Sequence, residues 1–150
     1  MKCMGKRSAG ILLYREVDGE LQVLLAHPGG PFWKQRDSGA WTIPKGEFDA
    51  PESAEDAARR EFREELGIDV PGPLRQLGEI VQKSGKHVVA FALQGDFDIA
   101  TLRSNTFEME WPPRSGRLQA FPEVDKVAWM TLAAAREKIL PSQAPLLDRL

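Results

Sequence analysis

A chain of 150 residues with 20 Lys and Arg against 22 Asp and Glu has the length of one ordinary domain, so a single domain over residues 1–150 is expected. Its net charge of −2 excludes a strongly basic body, and no stable nucleic-acid partner is expected; its one cysteine, Cys3, excludes an internal disulfide framework and a cysteine-based zinc site. The opening residues, Met1 to Arg7, are basic, but no long apolar stretch follows them, so neither a membrane span nor a membrane partner is expected and the chain is placed in the cytoplasm.

In chain order, Arg7 to Tyr14 and Leu21 to His27 are apolar, β-prone runs. Asp18-Gly19 between them signals a hairpin turn. Pro28-Gly29-Gly30-Pro31 opens a loop carrying Phe32 and Trp33, which leads into the short apolar segment Trp41-Thr42-Ile43; Pro44-Lys45-Gly46 is expected to end that segment. A helix fits Ala54 to Leu66, with Ser53 as its cap, Glu55 and Asp56 in its first turn, and Gly67 closing it. Leu74 to Val81 and His87 to Leu93 read as strands around the turn Lys83-Ser84-Gly85-Lys86, Thr106 to Trp111 as a half-buried strand, and Val127 to Met130 as another. Thr131 can cap a helix to about Ile139 and Ser142 a short terminal one, whereas the stretch from Gln94 to Asn105 fits no one element. Strands followed by helices predict an α/β sandwich around a mixed sheet.

The charge is unevenly spread. From Gly46 to Asp69 nine acids face three arginines, a net −6, which leaves +4 for the rest of the chain. On a helical wheel with Glu61 at zero, Glu64 falls near −60° and Glu65 near +40°, so three carboxylates share an arc of about 100°. Ala54, Ala57 and Ala58 fall in the same sector. A merely solvated acidic face would lie opposite the small and apolar side chains. Like charges crowded beside the core carry both mutual repulsion and desolvation unless a cation neutralises them. Mg²⁺ or Mn²⁺ suits that task, since both prefer oxygen donors and keep positions for water and phosphate. Arg60, one turn before Glu64, can hold that carboxylate in place.

The same segment resembles the Nudix box: Gly, five residues, Glu, seven residues, then Arg-Glu-apolar-any-Glu-Glu-any-Gly-apolar. Gly46, Glu52, Arg60, Glu61, Phe62, Glu64, Glu65, Gly67 and Ile68 all fall in register. Phe62 stands where an aliphatic residue is usual, and the box spans 23 of the 150 residues. The resemblance implies the Nudix α/β/α sandwich with a mixed β-sheet. It implies Glu61, Glu64 and Glu65 as metal ligands, the backbone carbonyl of Gly46 as a further one, and Glu52 and Arg60 as supporting charges. The implied reaction is attack of a metal-activated water on a phosphorus of a diphosphate bridge.

Trp41-Thr42-Ile43-Pro44-Lys45-Gly46 further resembles the Nudix branch with Pro-Lys-Gly before the box, which includes dinucleoside polyphosphate and nucleoside triphosphate hydrolases. That makes a nucleotide-like small molecule the expected partner, with a nucleoside triphosphate or dinucleoside polyphosphate foremost. Hydrolysis of ADP-ribose or another nucleotide sugar, and a Nudix-fold module that binds nucleotide without turnover, are the alternatives; a homodimer is left open.

For contacts to that substrate, Lys45 adjoins the box. Arg114 and Arg117 sit on a loop suited to clamping phosphate, and Trp33 is better placed than Trp41 to stack a base. His27 and His87 are too isolated for a histidine metal site. Glu61 and Glu64 are candidates for the base as well as ligands, and the family often adds an acid from a loop outside the box. Glu123, after Phe121-Pro122 and six residues before Trp129, resembles that context. Glu108 and Glu110 are the other candidates; they alternate with Phe107, Met109 and Trp111, which points them towards solvent.

Overall fold

The computed structural model describes residues 7–150; Cys3 and all of the basic opening run except Arg7 lie outside the described residues. β1 (Arg7–Val17) and β2 (Glu20–Pro28) form the expected hairpin. Asp18 and Gly19 turn it with φ of 52° and 79°, the left-handed pair that matches strand twist.

The eleven residues of β1 serve three partners. Along one edge, Arg7 to Tyr14 pair in parallel with β5 (His87–Gln94). Along the other edge, Tyr14 to Val17 pair with β2, and Arg7 to Gly10 pair antiparallel with β3 (Lys45–Phe48). β4 (Arg75–Val81) lies outside β5 and β8 (Val124–Thr131) outside β2, giving the order β4-β5-β1-β2-β8. The sheet is therefore mixed, as expected.

α1 (Ala54–Leu66) covers one face. Its Ala57, Ala58, Phe62 and Leu66 are buried with Ile11, Leu13, Leu24 and Leu93. The opposite face, with Leu12, Val23, Leu25 and Val88, is covered by α2 (Leu132–Lys138) through Ala135 and by α3 (Pro145–Asp148) through Leu146 and Leu147. The alternation of β1 and β2 side chains between two apolar clusters gives the predicted α/β/α sandwich. Among the described residues no helix is long and apolar enough to cross a membrane.

Three local expectations are corrected. Residues 41–43 make only isolated bridges, Ala26 with Thr42 and Trp41 with Ile139, and the strand begins where the sequence suggested an end. Pro44 has no N–H to give, but its carbonyl accepts from Ile11 at 3.1 Å, and this delivers Lys45 and Gly46 to the free edge of β1. Ser142 caps no helix: it lies in the 3-10 turn Pro141–Gln143, and α3 instead starts at a proline, which needs no capping side chain. β6 (Thr106–Glu110) finds its partner in β7 (Leu118–Pro122), a strand the sequence did not announce because its side chains are mostly exposed.

Phe62 is 2% exposed beneath the box helix. Phe62→Ala should cost about 3–5 kcal/mol, because the lost ring leaves a cavity between helix and sheet; urea unfolding followed by circular dichroism measures it.

Candidate active site

Local signals set the box helix. The Ser53 hydroxyl accepts from Asp56 N–H at 3.1 Å, and Gly67, at φ 96°, donates to the Arg63 carbonyl at 2.7 Å. Between these caps Glu61, Glu64 and Glu65 lie along one side, as the wheel requires. Glu61 is 7% exposed, with Ala57, Ala58 and Phe62 as buried helix neighbours. β3 brings Gly46 directly over it. A Cβ at Gly46 would overlap the Glu61 carboxylate, so glycine is what lets strand and acid approach.

Arg60 is the counter-charge of the cluster. It grips Glu52 with two hydrogen bonds of 2.9 and 3.0 Å. Its other nitrogen reaches Glu61 at 2.6 Å and Glu64 at 3.2 Å. Glu65 instead accepts from the backbone N–H of Lys45 at 3.3 Å. The planar fork of a guanidinium is suited to orienting several carboxylates at once.

The electrostatics follow from this crowding. Burial, then the Glu61 charge, push the Glu65 carboxyl up to about 8. Glu61 is raised by burial, against the pull of Arg60. Glu123 is raised by burial and by the charges of Glu61 and Glu64, which places it within electrostatic reach of the box. Arg60 holds Glu52 below the ordinary range. The Lys45 ammonium is pushed down by burial and by Lys86.

A cavity of about 630 Å³ opens beside these groups, with Glu65, Glu123, Lys45 and Trp33 in its wall. Four of the residues singled out in the sequence thus converge. Arg36 packs over the Trp33 ring at 5.5 Å. Lys83 and Ser84 in the β4–β5 turn, with Pro141 and Ser142 after α2, complete the wall and were missed. Their only sequence signal was a lysine in a turn. Arg114 and Arg117 are exposed in the β6–β7 turn and are not part of the wall. Glu108 and Glu110 are exposed too, and Glu110 accepts from the backbone of Arg114 and Gly116 at 3.2 and 2.9 Å. His27, by contrast, is buried between Asp125 and the Arg36 carbonyl, a packing role.

Among the described residues no three acidic, histidine or cysteine side chains already stand as a coordinating set; Arg60 occupies two of the acids instead. The donor chemistry nevertheless fits a hard divalent cation. It consists of the box carboxylates, of which Glu61 and Glu65 have their proton affinity raised by burial and by neighbouring acids, packed against a glycine without a side chain.

The NUDIX domain model matches residues 4–150. The chain belongs to the Nudix family. It carries the complete box of the Nudix pyrophosphohydrolases, a family that uses divalent metal ions. Among solved structures it is similar to a Caenorhabditis elegans Ap4A hydrolase binary complex, at 23% identity over 96% of this chain and 93% of that one, with a TM-score of 0.63. It is similar also to the NUDIX domain of Shewanella oneidensis NrtR complexed with ADP ribose (19% identity, 99% and 87% covered, TM-score 0.67). A third is the MutT protein from Methanosarcina mazei Go1 (20% identity, 99% and 94% covered, TM-score 0.58). At these identities the likeness concerns the Nudix fold. No curated protein matches the chain.

The raised Glu65 carboxyl has a measurable consequence with divalent cations chelated. Unfolded, it titrates near 4.5; folded, near 8. Between those values the folded state binds a proton that the unfolded state lacks, so stability falls as pH rises, by up to about 1.4 kcal/mol per pH unit for one group. Thermal melts from pH 5 to 8 should show this decline, and Glu65→Gln should flatten it.

Proposed function

We propose that this Nudix chain, acting as one unit, hydrolyses a diphosphate linkage in a nucleotide-like substrate, with nucleoside triphosphates and dinucleoside polyphosphates as the first candidates. The observation that carries this reading is the convergence of Glu65 and Glu123 with Lys45 and Trp33 on one cavity beside Glu61 and Glu64. Cavity volume and composition suit a small molecule bearing both an anionic chain and a planar ring.

Each residue has a role in this reading. Glu61, Glu64, Glu65 and the Gly46 carbonyl hold Mg²⁺ or Mn²⁺, and Arg60 orients the first two acids. The bound cation supplies Lewis acidity, lowering the pKa of water and offsetting phosphate charge. Lys45, with little water around its ammonium, attracts the phosphates. Trp33 offers its ring to a base. Glu123, its proton affinity raised by burial and by the Glu61 and Glu64 charges, takes the proton of the attacking water as the water oxygen bonds to phosphorus and the bridging oxygen leaves with its electron pair. Arg114 and Arg117 meet only a substrate long enough to extend past the cavity. The Pro-Lys-Gly sequence favours the nucleoside polyphosphate branch; a cytoplasmic location belongs to the same reading and rests on sequence alone.

Glu64→Gln and Glu65→Gln should abolish most turnover while preserving or raising the melting temperature of the metal-free protein above about pH 8, where Glu65 is ionised, since each removes a ligand and, there, a repelling charge. Glu123→Gln should lower kcat by about 10²-fold with metal affinity little changed. The assay is product release from ATP, diadenosine tetraphosphate, ADP-ribose and NADH with Mg²⁺ or Mn²⁺. Micromolar binding without turnover of any of them would replace the hydrolase with a binding module, and near-normal rates in both box variants would remove the assigned site.

A further inference from the structure

The segment 103–105 belongs to no regular element, yet it touches three parts of the site. The last carbonyls of a helix have no partner within it, and at the end of α1 this segment provides them. Arg103 N–H donates to the Leu66 carbonyl at 3.0 Å and Asn105 N–H to the Glu64 carbonyl at 2.8 Å. The Asn105 carbonyl in turn accepts from Glu123 N–H at 2.8 Å, and the Glu123 carbonyl accepts from Gly29 N–H at 2.9 Å. One relay of peptide hydrogen bonds thus runs from Glu64 through Asn105 and Glu123 to the loop that carries Trp33.

A side chain closes this relay. The half-buried Ser104 hydroxyl donates to the Asn105 carbonyl at 2.8 Å and accepts from Val124 N–H at 2.9 Å. It therefore links the strap on the box helix to the first residue of β8, directly after Glu123. At the relay's far end the fit is tight: a Cβ at Gly29 would overlap the Pro122 carbonyl. Glu64 and Glu123 lie 59 positions apart in sequence, and one residue, Asn105, bonds to the backbone of both.

We propose that Ser104 is a positioning residue for hydrolysis: its hydroxyl locks the strap 103–105 and thereby sets where Glu123 stands relative to the box carboxylate Glu64. This rests on Glu123 being the base. A displacement of about 1 Å in a reacting group can cost about 10²-fold in rate, so a single hydroxyl acting through backbone can matter to kcat without touching substrate.

The test measures kcat, KM, melting temperature and amide hydrogen exchange for wild type, Ser104→Ala, Ser104→Thr, Glu123→Gln and the Ser104→Ala/Glu123→Gln pair. The substrate is whichever of ATP, diadenosine tetraphosphate, ADP-ribose or NADH the wild type turns over fastest. Ser104→Ala should lower kcat by about 10- to 100-fold with KM within about twofold, speed exchange at the Glu123 and Val124 amides, and lower the melting temperature by only a few degrees, so that the protein stays folded at the assay temperature. Ser104→Thr should restore kcat, and the double variant should be no slower than Glu123→Gln alone. A slow Glu123→Gln beside a normal Ser104→Ala would overturn the positioning role and leave the base assignment standing. Multiplying losses in the double variant would likewise overturn it. A wild-type rate in Glu123→Gln would remove the base assignment, and the positioning role with it. Should Ser104→Ala fail to fold, Ser104→Cys, which keeps the volume and weakens both hydrogen bonds, takes its place under the same criteria.

Discussion

The site depends on one guanidinium. Arg60 pairs with Glu52, Glu61 and Glu64 at once, and without it two of the box acids would lie uncompensated at the edge of an apolar layer. Glu61 is buried because the helix must place Ala57, Ala58 and Phe62 against the sheet, and the acid shares that side. Burial makes the negative charge costly, and Arg60 lowers that cost without removing it, since the Glu61 carboxyl still lies above its ordinary range. The residual proton affinity of Glu61 and Glu65 is what a bound cation would replace. Stability of the bare fold and the affinity for metal that the proposed function requires would therefore pull on the same charges in opposite directions.

The scaffold that holds these charges is β1. By sharing one edge between β2 and β3 it lets the chain leave the sheet after Pro28 and return at Lys45. The excursion between them carries Trp33 to the cavity, and the return sets Gly46 over Glu61. Antiparallel registry between Ala9 and Gly46 thus fixes the position of the acid on a different element.

Legibility in the sequence followed the range of the interactions. The box helix was readable to the residue, because its caps, its wheel and the Arg60–Glu64 spacing are all set within about four positions. The strands of the main sheet were readable from their apolar runs, within one to three residues at their ends. β3 was misplaced because a proline ordinarily ends a strand, whereas here pairing to β1 takes over immediately after it. β7 was invisible because it pairs only with β6 and buries almost nothing. Glu123 was singled out by likeness of context, but its electrostatic coupling to Glu61 and Glu64 is a product of the fold.

The least legible part of the site is the rest of the cavity wall. Lys83 and Ser84 come from the β4–β5 turn, Pro141 and Ser142 from the segment after α2, and Trp33 from the loop after β2. None of these is spaced from the box by a helical or strand period, so no local pattern could announce them. The carboxylates sit on a capped helix packed against the sheet, where a substitution disturbs core and charge together. The rest of the wall is drawn largely from loops and turns, which ordinarily tolerate change better than a packed helix. In the proposed reading, chemistry and substrate choice draw on different segments of the chain, joined through the Asn105–Glu123 relay and through Lys45, whose backbone bonds Glu65 while its side chain lines the cavity. The box identifies the reaction class, and the side chains that would select among nucleotides lie in segments whose identity the box does not constrain.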